Sequence, residues 1–353
     1  MQILNVNNVI EFLDAIARFK SQNSKKPKEE REYFFRGQKN VQWSITPSIS
    51  RHELLTYESE IIQEAIRENQ ADFDGLSPFN TLAKLQHYGL CTRLIDVTLN
   101  PLVALFFACQ SSENIDPIYN GLYISSLLSG VPCSFYNVSI KKTDGVVFVA
   151  HSEFVSDRDN DVNTLIETAY LENEGLKGND LFAKCAIKFG YSTPYDIDSI
   201  STEDHEKIYR ILTQNYFIIP SNAENNTRLK KQNGAFLLTG YNCHGIVYFA
   251  GPCQSEPLPK IMDEFCLAII IPQKSKGDIL KELDSQNINQ ATLFPELENK
   301  MAYIIEKAKE KYDTSKTFEY VLRTPEWRKI HDQLEIRMIN KDGTEIVTKE
   351  RKR

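Results

Sequence analysis

Residues 81–109 (TLAKLQHYGLCTRLIDVTLNPLVALFFAC) constrain the fold of this chain more than any other segment, because many polar side chains lie there between two apolar helical runs. The first run ends at Gly89 and the second begins at Pro101. A buried polar group without a hydrogen-bond partner costs roughly 1–3 kcal/mol. The segment is therefore either a hydrogen-bonded network that holds the core together or the floor of a ligand site. Its polar residues are His87, Tyr88, Thr92, Arg93, Asp96, Thr98 and Asn100.

The second apolar run is predicted to be a buried helix. Asn100 followed by Pro101 is typical of an N-cap and a first helical residue. Apolar residues then occupy every face as far as Cys109, which is the pattern of a helix buried on all sides. The N-terminus of such a helix favours a carboxylate or a ligand phosphate. In the alternative, structural interpretation, Asp96 caps this helix and pairs with Arg93.

Composition and short motifs exclude several classes of protein. The net charge of −7 argues against a general nucleic-acid binder, which usually has a basic excess. No apolar run approaches the roughly 20 residues that cross a bilayer, so we expect no membrane association. Seven scattered cysteines without a CxxC pair indicate reduced thiols in a cytoplasmic protein. The chain has no HxxxH, GxxxxGK[ST], GxGxxG or GxSxG motif, and we predict no metal site.

The remaining pattern predicts an α+β fold with a mixed, mostly antiparallel sheet flanked by helices and with an appended C-terminal β-hairpin. Asn8 and Glu11 resemble a capping box for a first helix. The apolar face of that helix is predicted to contain Val9, Phe12, Leu13, Ile16 and Phe19. Further helices are expected at residues 55–69, 77–89, 276–283 and 293–311. Strands are expected at residues 32–38, 121–127, 145–150, 216–220, 234–239, 245–250 and 266–272.

Domain boundaries follow from changes of composition. Residues 1–29 are predicted to be an N-terminal helix and linker, residues 30–310 the main domain, and residues 311–353 a C-terminal extension. Within the main domain, residues 157–207 turn acidic and weakly patterned, which indicates an insertion of short helices and loops. Its run Asp157–Asp161 is interpreted as a solvated acidic loop, because it lacks the glycine and the closing glutamate of a calcium loop.

Arg36 and Gln232 mark two further places where chemistry is expected. Arg36 follows three aromatic residues in a predicted strand, and an arginine at the rim of a core suits bidentate recognition of a phosphate or a carboxylate. Gly37 then allows the backbone to turn sharply or to approach a ligand. The alternative is a structural bridge between Arg36 and Asp96. Gln232 lies where a polar segment enters a strand through Gly234.

Together these segments resemble the FRG-domain family, named for an aromatic-Arg-Gly motif. Residues 35–37 match that motif, and residues 85–108 (LQHYGLCTRLIDVTLNPLVALFFA) match the longest signature of the family. Residues 232–236 (QNGAF) resemble its later Gln-x-Gly-x-Phe element. The resemblance covers roughly residues 30–305. The family tends to occur in bacteria and phage, near defence or toxin genes.

A more distant similarity relates the chain to ADP-ribosyltransferases and implies a similar core. Arg36-Gly37 and the pattern T-x-x-P-x-x-A-x-x-F-A from Thr98 to Ala108 follow the order of motifs in those enzymes. By this likeness Arg36 binds a phosphate or ribose of NAD, and Thr98 and Asn100 line the nicotinamide pocket. The late glutamate of those enzymes is missing from residues 232–236, and Asp96 is the carboxylate that is able to replace it.

Three functions are therefore considered beside a purely structural role of the polar signature. The first is an NAD-using ADP-ribosyltransferase or NAD glycohydrolase in bacterial defence or as a toxin. The second is a non-catalytic ligand sensor or adaptor in phage defence, and the third a nuclease. The expected partners are a nucleotide ligand together with a protein target, a nucleic-acid target or a neighbouring defence protein. The predicted catalytic residues are Arg36, Asp96 and His87. The predicted NAD-binding residues are Arg36, Gly37, Tyr88, Thr92, Arg93, Thr98, Asn100 and Gln232.

Overall fold

The structure is a computed structural model, and its residues fall into two units, Met1–Leu293 and Phe294–Arg353. Met1–Leu293 contains the predicted N-terminal helix as well as the signature segment. The two predicted strands at residues 121–127 and 245–250 lie outside the described residues. The structure describes residues 1–23, 31–43, 45–51, 54, 57–111, 143–170, 181–191, 200–221, 226–240, 261, 264–296, 299–301, 303–304, 338–339 and 345–346.

Eight strands of the first unit form one open sheet in the order β1-β8-β4-β2-β3-β7-β6-β5. The inner pairs are antiparallel, and the two outermost pairs, β1 with β8 and β5 with β6, are parallel. The prediction of a mixed, mostly antiparallel sheet is therefore confirmed. The strands are β1 (Gln2–Asn5), β2 (Arg31–Gln38), β3 (Leu94–Thr98), β4 (Gly145–Glu153), β5 (Val155–Ser156), β6 (Tyr216–Ile219), β7 (Gly234–Leu238) and β8 (Phe265–Ile271).

Helices cover one face of this sheet and fill the connections. Four of them are short helices of four or five residues, and none of the described helices is long and apolar enough to cross a membrane. The helices are α1 (Val9–Asn23), α2 (Ser48–Arg51), α3 (Glu58–Glu68), α4 (Gln70–Phe73), α5 (Pro78–His87), α6 (Pro101–Cys109), α7 (Asn160–Tyr170), α8 (Leu181–Lys188), α9 (Thr202–Thr213), α10 (Thr227–Lys231), α11 (Gln273–Ser285) and α12 (Gln290–Leu293).

Strand β3 is a correction to the sequence analysis, which treated residues 90–100 as a connection between two helices. Leu94, Ile95, Val97 and Thr98 are buried, whereas Asp96 is exposed. β-Branched residues with alternating side chains suit a strand that is covered on both faces. The polar residues of the signature therefore belong to an interior strand, paired with β2 on one side and with β7 on the other.

Two glycines allow α6 to lie directly on the sheet. A Cβ atom on Gly37 would come 1.8 Å from the Ala104 carbonyl oxygen, and one on Gly145 would come 2.1 Å from that of Ala108. Real Cβ contacts are never so short, so both positions require glycine. Gly37 was expected to allow a sharp turn or the approach of a ligand. Instead it allows close packing, because the backbone of α6 occupies the space where a side chain would lie.

The N-cap half of the predicted capping box of α1 is confirmed, whereas the Glu11 carboxylate accepts from the Asn7 N–H (2.7 Å) and from the Asn8 side chain. Asn8 Oδ1 accepts a hydrogen bond from the Glu11 N–H (2.8 Å), and Asn8 Nδ2 donates to Glu11 Oε1 (3.0 Å). The buried face differs at one residue from the predicted set. Leu13 is 40 % exposed, whereas Ala15 is buried. The buried stripe follows the helical spacing of three and four residues, and Leu13 lies at its margin.

The acidic segment 157–207 contains core helices. Buried residues of α7, α8 and α9 share one apolar cluster with α5 and with Leu94 of β3. Asp157 is a further correction, because it is 1 % exposed and its Oδ1 accepts hydrogen bonds from the backbone N–H and the hydroxyl of Ser221 (2.9 and 2.5 Å). Asp159 caps α7 by accepting from the N–H of Asp161 (3.0 Å). Asp157 therefore holds Ser221 in place, and Asp159 stabilises the N-terminus of α7.

The second unit contains the predicted hairpin in part. Strands β9 (Met338–Ile339) and β10 (Glu345–Ile346) pair in antiparallel fashion, while the turn between them lies outside the described residues. The helix predicted from residue 293 starts later, because α12 ends at Leu293 and residues 294–296 are not helical. Residues 299–301 and 303–304 are helical.

Candidate functional site

The candidate site residues are divided between the two faces of the sheet. Phe35 of β2 is directly opposite Thr98 of β3, so their side chains share a face, and side chains alternate along each strand. Asp96 therefore lies on the face of Thr98, and Arg36 on the opposite face with Ile95. The apolar clusters agree, because Phe34, Ile95 and Val97 pack together, whereas Leu94 packs with the helices.

Asp96 is an exposed carboxylate in the middle of an interior strand. Its four neighbours in β3 are at most 5 % exposed. Gln86 of α5 holds this carboxylate, because its Nε2 donates to Asp96 Oδ1 over 2.7 Å. Among the described residues no other hydrogen bond to this carboxylate is found, and the residue as a whole is exposed. Asp96 is thus both oriented and accessible.

A short chain of hydrogen bonds fixes the direction in which the Gln86 amide points. The Leu94 N–H donates to Thr92 Oγ1 (3.2 Å), and the Thr92 hydroxyl donates in turn to Gln86 Oε1. Since Oε1 accepts from Thr92, the amide nitrogen is the atom that reaches Asp96. The fully buried Thr92 therefore anchors the exposed Asp96 through Gln86.

Gln86 and Ser48 were missed by sequence reasoning. Ser48 Oγ accepts from the Thr92 N–H (2.9 Å) and donates to the Thr92 carbonyl (3.1 Å), so it replaces a strand partner for that residue. Gln86 stands inside the 85–108 signature, directly before His87. This position within the signature was the one feature of the sequence that could have pointed to Gln86 as a site residue. A glutamine on a helix that faces a carboxylate of a strand is a suitable hydrogen-bond donor.

Arg93 is held in a buried ion pair, and its partner is Glu58 at the start of α3. Arg93 Nε donates to Glu58 Oε1 (2.8 Å), and Nη2 donates to Oε2. The two side chains are only 2 % and 4 % exposed. Arg93 Nη1 also lies 3.4 Å from the Thr239 carbonyl oxygen. The alternative in which Arg93 pairs with Asp96 is therefore wrong, and the guanidinium joins α3 to β3.

Thr98 and Asn100 satisfy the backbone where β3 passes into α6. The Thr98 hydroxyl donates to the Gln232 carbonyl (2.6 Å) and accepts from the Asn100 N–H (3.0 Å). Asn100 Oδ1 accepts from the Leu102 N–H (3.0 Å), so Asn100 is the N-cap. This corrects the alternative in which Asp96 caps α6. The Asn100 carbonyl accepts from the next two N–H groups, which leaves no free donor of α6 for an anion.

Arg36 and Gln232 contact this network through backbone carbonyls, whereas His87 and Tyr88 are exposed at the end of α5. Arg36 is half-buried, and its Nη1 donates to the backbone carbonyl of Asp96 (2.6 Å), which is the atom reachable from the opposite face. Gln232 Nε2 donates to the Leu293 carbonyl (3.1 Å). His87 ends α5, its ring contacts that of Tyr88 at 5.2 Å, and both residues are exposed.

The far end of α6 is fixed by a buried lysine. Lys276 of α11 is 3 % exposed, and its Nζ donates to the carbonyls of Lys39 (2.7 Å) and Gln110 (3.4 Å). Gln110 is the C-cap of α6, where a cation is favourable. Burial lowers the pKa of Lys276, and it raises the pKa of the neighbouring Cys109 thiol to about 12. This cluster is a structural anchor.

The fold and the site define a mixed α/β protein whose open, mostly antiparallel sheet presents one oriented carboxylate from an interior strand. The family model of the FRG domain matches residues 31–116. This matched part of the chain, which is similar to an FRG domain, includes β2, β3, α6 and the Asp96–Gln86 contact. The match ends before the Gln232–Phe236 element. No curated protein and no solved structure matches the chain.

Proposed function

We propose that this FRG-domain chain uses NAD as a substrate, as an ADP-ribosyltransferase or an NAD glycohydrolase in bacterial defence or as a toxin. The supporting observation is Asp96, the one carboxylate of the signature that is both exposed and held in a fixed orientation. Functional sites often contain a polar group that folding alone does not need. The other polar groups of the signature, in Thr92, Arg93, Thr98 and Asn100, have structural partners.

The chemistry requires a negative charge at this point. Cleavage breaks the bond between the ribose C1′ and the nicotinamide nitrogen, and the electron pair of that bond leaves with nicotinamide. Positive charge then develops on the ribose, and a preorganised carboxylate stabilises such an oxocarbenium-like state. Water or an acceptor nucleophile attacks C1′ and releases its proton. Asp96 Oδ2, with Oδ1 held by Gln86, supplies the charge that Gln232 lacks.

A second candidate is a non-catalytic sensor or adaptor that binds a nucleotide or another phage-derived ligand. It is favoured by the division of Arg36 and Asp96 between opposite faces of the sheet. A ligand at Asp96 lies across the sheet from the guanidinium that the resemblance assigns to its phosphates. This candidate predicts binding without turnover.

The test compares wild type, Asp96→Asn and Arg36→Ala during incubation with NAD and cell lysate. Nicotinamide release and transfer of labelled ADP-ribose are followed together, with Asp74→Asn as a matched exposed-aspartate control. We expect turnover by wild type and a loss of about 100-fold or more in Asp96→Asn, the effect of removing one charge-stabilising group. The melting temperature should stay unchanged.

Three outcomes of this experiment bear on the candidates and on the position of the site. If folded wild type neither releases nicotinamide nor transfers ADP-ribose, the enzyme proposal fails, and calorimetric binding of NAD then tests the sensor. If Asp96→Asn retains full turnover, the site lies elsewhere. If Arg36→Ala also loses turnover, residues on both faces of the sheet are needed for the reaction. That result would contradict a site centred on Asp96 alone.

A further inference from the structure

A groove of about 700 Å³ runs along the outer side of α3. Its lining is mostly apolar and includes Tyr57, Ile61, Ala65 and Leu90. Tyr57 is 58 % exposed, which is unusual for a large aromatic side chain. None of the lining residues belongs to the Asp96–Gln86–Thr92 chain. The groove is therefore a surface independent of the proposed active site.

One wall of the groove is an acidic ridge. Glu60, Glu64 and Glu68 line it at intervals of four residues, so their exposed carboxylates span about 12 Å along the helix. Among the described residues that line the groove there is no lysine or arginine. Arg67 is the nearest cation on α3, and its Nη1 lies 3.1 Å from Glu64 with both side chains more than 60 % exposed. Such an exposed pair is weak and exchanges readily for another cation.

We propose that this groove binds a basic amphipathic helix of a protein partner. A helix repeats its side chains every three to four residues, so lysines or arginines at that spacing meet the three glutamates in register. An adjacent apolar strip of the same helix then packs on Ile61, Ala65 and Tyr57, which is the helix-in-groove mode of recognition. The negative ridge disfavours a nucleotide or an anionic lipid surface in the same place.

The probe for this proposal is a fluorescein-labelled peptide about five helical turns long, with a lysine at every fourth position beside a strip of leucines. Binding to the full chain is measured by fluorescence anisotropy at low and at raised salt. The first variant, Glu60→Gln/Glu64→Gln/Glu68→Gln, keeps the shape of the ridge and removes its charge. The second, Tyr57→Ser, removes an exposed apolar wall. All variants are compared by thermal melting.

A matched control removes the same charge elsewhere. Glu32, Glu203 and Glu206 are exposed and lie off the groove, so Glu32→Gln/Glu203→Gln/Glu206→Gln removes the same number of negative charges. We expect about tenfold weaker binding for the ridge variant, about threefold or more for Tyr57→Ser, and less than twofold for the control. Raising the salt concentration should weaken binding to wild type and should matter little for the ridge variant.

Three results would overturn the proposal. The first is no binding of the peptide to folded wild type, and the second is an equal loss in the ridge variant and in the control, which would mean unspecific attraction. The third is a dimer in sedimentation experiments that dissociates in the ridge variant, because the occupant would then be a second copy of the chain. Since no readout involves NAD, failure here is distinct from failure of the proposed enzyme activity.

Discussion

Removing one partner of the buried ion pair between Arg93 and Glu58 is expected to destabilise the fold strongly. The substitution Glu58→Gln preserves the shape of the side chain and removes its charge. The guanidinium of Arg93 then stays buried at 2 % exposure, with the carbonyl of Thr239 at 3.4 Å as a neutral acceptor. An uncompensated buried charge of this kind costs about 3–5 kcal/mol, a large part of the stability of a typical domain.

Replacing both partners should cost much less. In the double variant Glu58→Leu/Arg93→Met no charge remains to be buried, and apolar residues of similar volume often substitute for a buried ion pair with little loss. We therefore expect the double variant to regain most of the free energy of unfolding that either single variant loses. Its coupling energy follows from a double-mutant cycle.

The assay is urea unfolding at neutral pH, followed by tryptophan fluorescence and circular dichroism. Glu64→Gln serves as the control, because the Glu64–Arg67 pair is largely exposed and should change the free energy of unfolding by less than about 0.5 kcal/mol. If Glu58→Gln behaves like this control, the pair does not carry the stability assigned to it. If the folded double variant loses NAD turnover that wild type has, Arg93 also serves a ligand.

Three further predictions concern the neighbourhood of α6 and Asp96. Gly37→Ala should lower the free energy of unfolding by about 3 kcal/mol or more, because the added Cβ would clash with the backbone of α6. The control Gly277→Ala, whose added Cβ meets nothing within 4 Å, should stabilise α11 by up to about 1 kcal/mol. Equal effects of the two substitutions in urea unfolding would contradict this reasoning. Gln86→Leu should cost about 1–3 kcal/mol because the buried Thr92 hydroxyl loses its acceptor, and an unchanged urea midpoint would refute the hydrogen-bond chain. Burial raises the pKa of Cys109 from 9.0 to about 12, so the protonated thiol stabilises the folded state. This stabilisation is fully present below pH 9 and is lost as the pH rises, by about 2 kcal/mol at about pH 10.5. In Cys109→Ala, the free energy of unfolding measured with urea should therefore fall less steeply at alkaline pH than in wild type.

The sequence predicted helices and strands well where the signal depends only on residues that are close together in the chain. Asn8 with Glu11 and Asn100 with Pro101 marked the starts of α1 and α6, because an N-cap depends only on neighbouring residues. The run of aromatics before Arg36 likewise indicated β2. Strand β3 was missed because its five residues lie between two helices and carry polar side chains that favour a loop interpretation.

The hydrogen-bond and ion-pair partners of the signature residues could not be predicted from the sequence pattern. Arg93 pairs with Glu58, 35 residues earlier, and Gln86 meets Asp96 only because α5 packs over β3. The division of Arg36 and Asp96 between two faces depends on the register of β2 against β3. Such long-range choices are set by tertiary packing, which a linear motif does not record.

The parallel pairing of β1 with β8 determines when the first unit is able to close during synthesis. Gln2 is opposite Leu267, and the Val9 N–H is held by Glu282 (3.0 Å). At typical translation rates the partner strand emerges roughly 15–50 s after β1. Until then α1 lacks its contacts with α11, although its Phe19 ring already has the Tyr33 ring of β2 within 6.2 Å. A nascent chain arrested before residue 271 would thus expose its own N-terminus to chaperones and proteases, however well its FRG segment had folded.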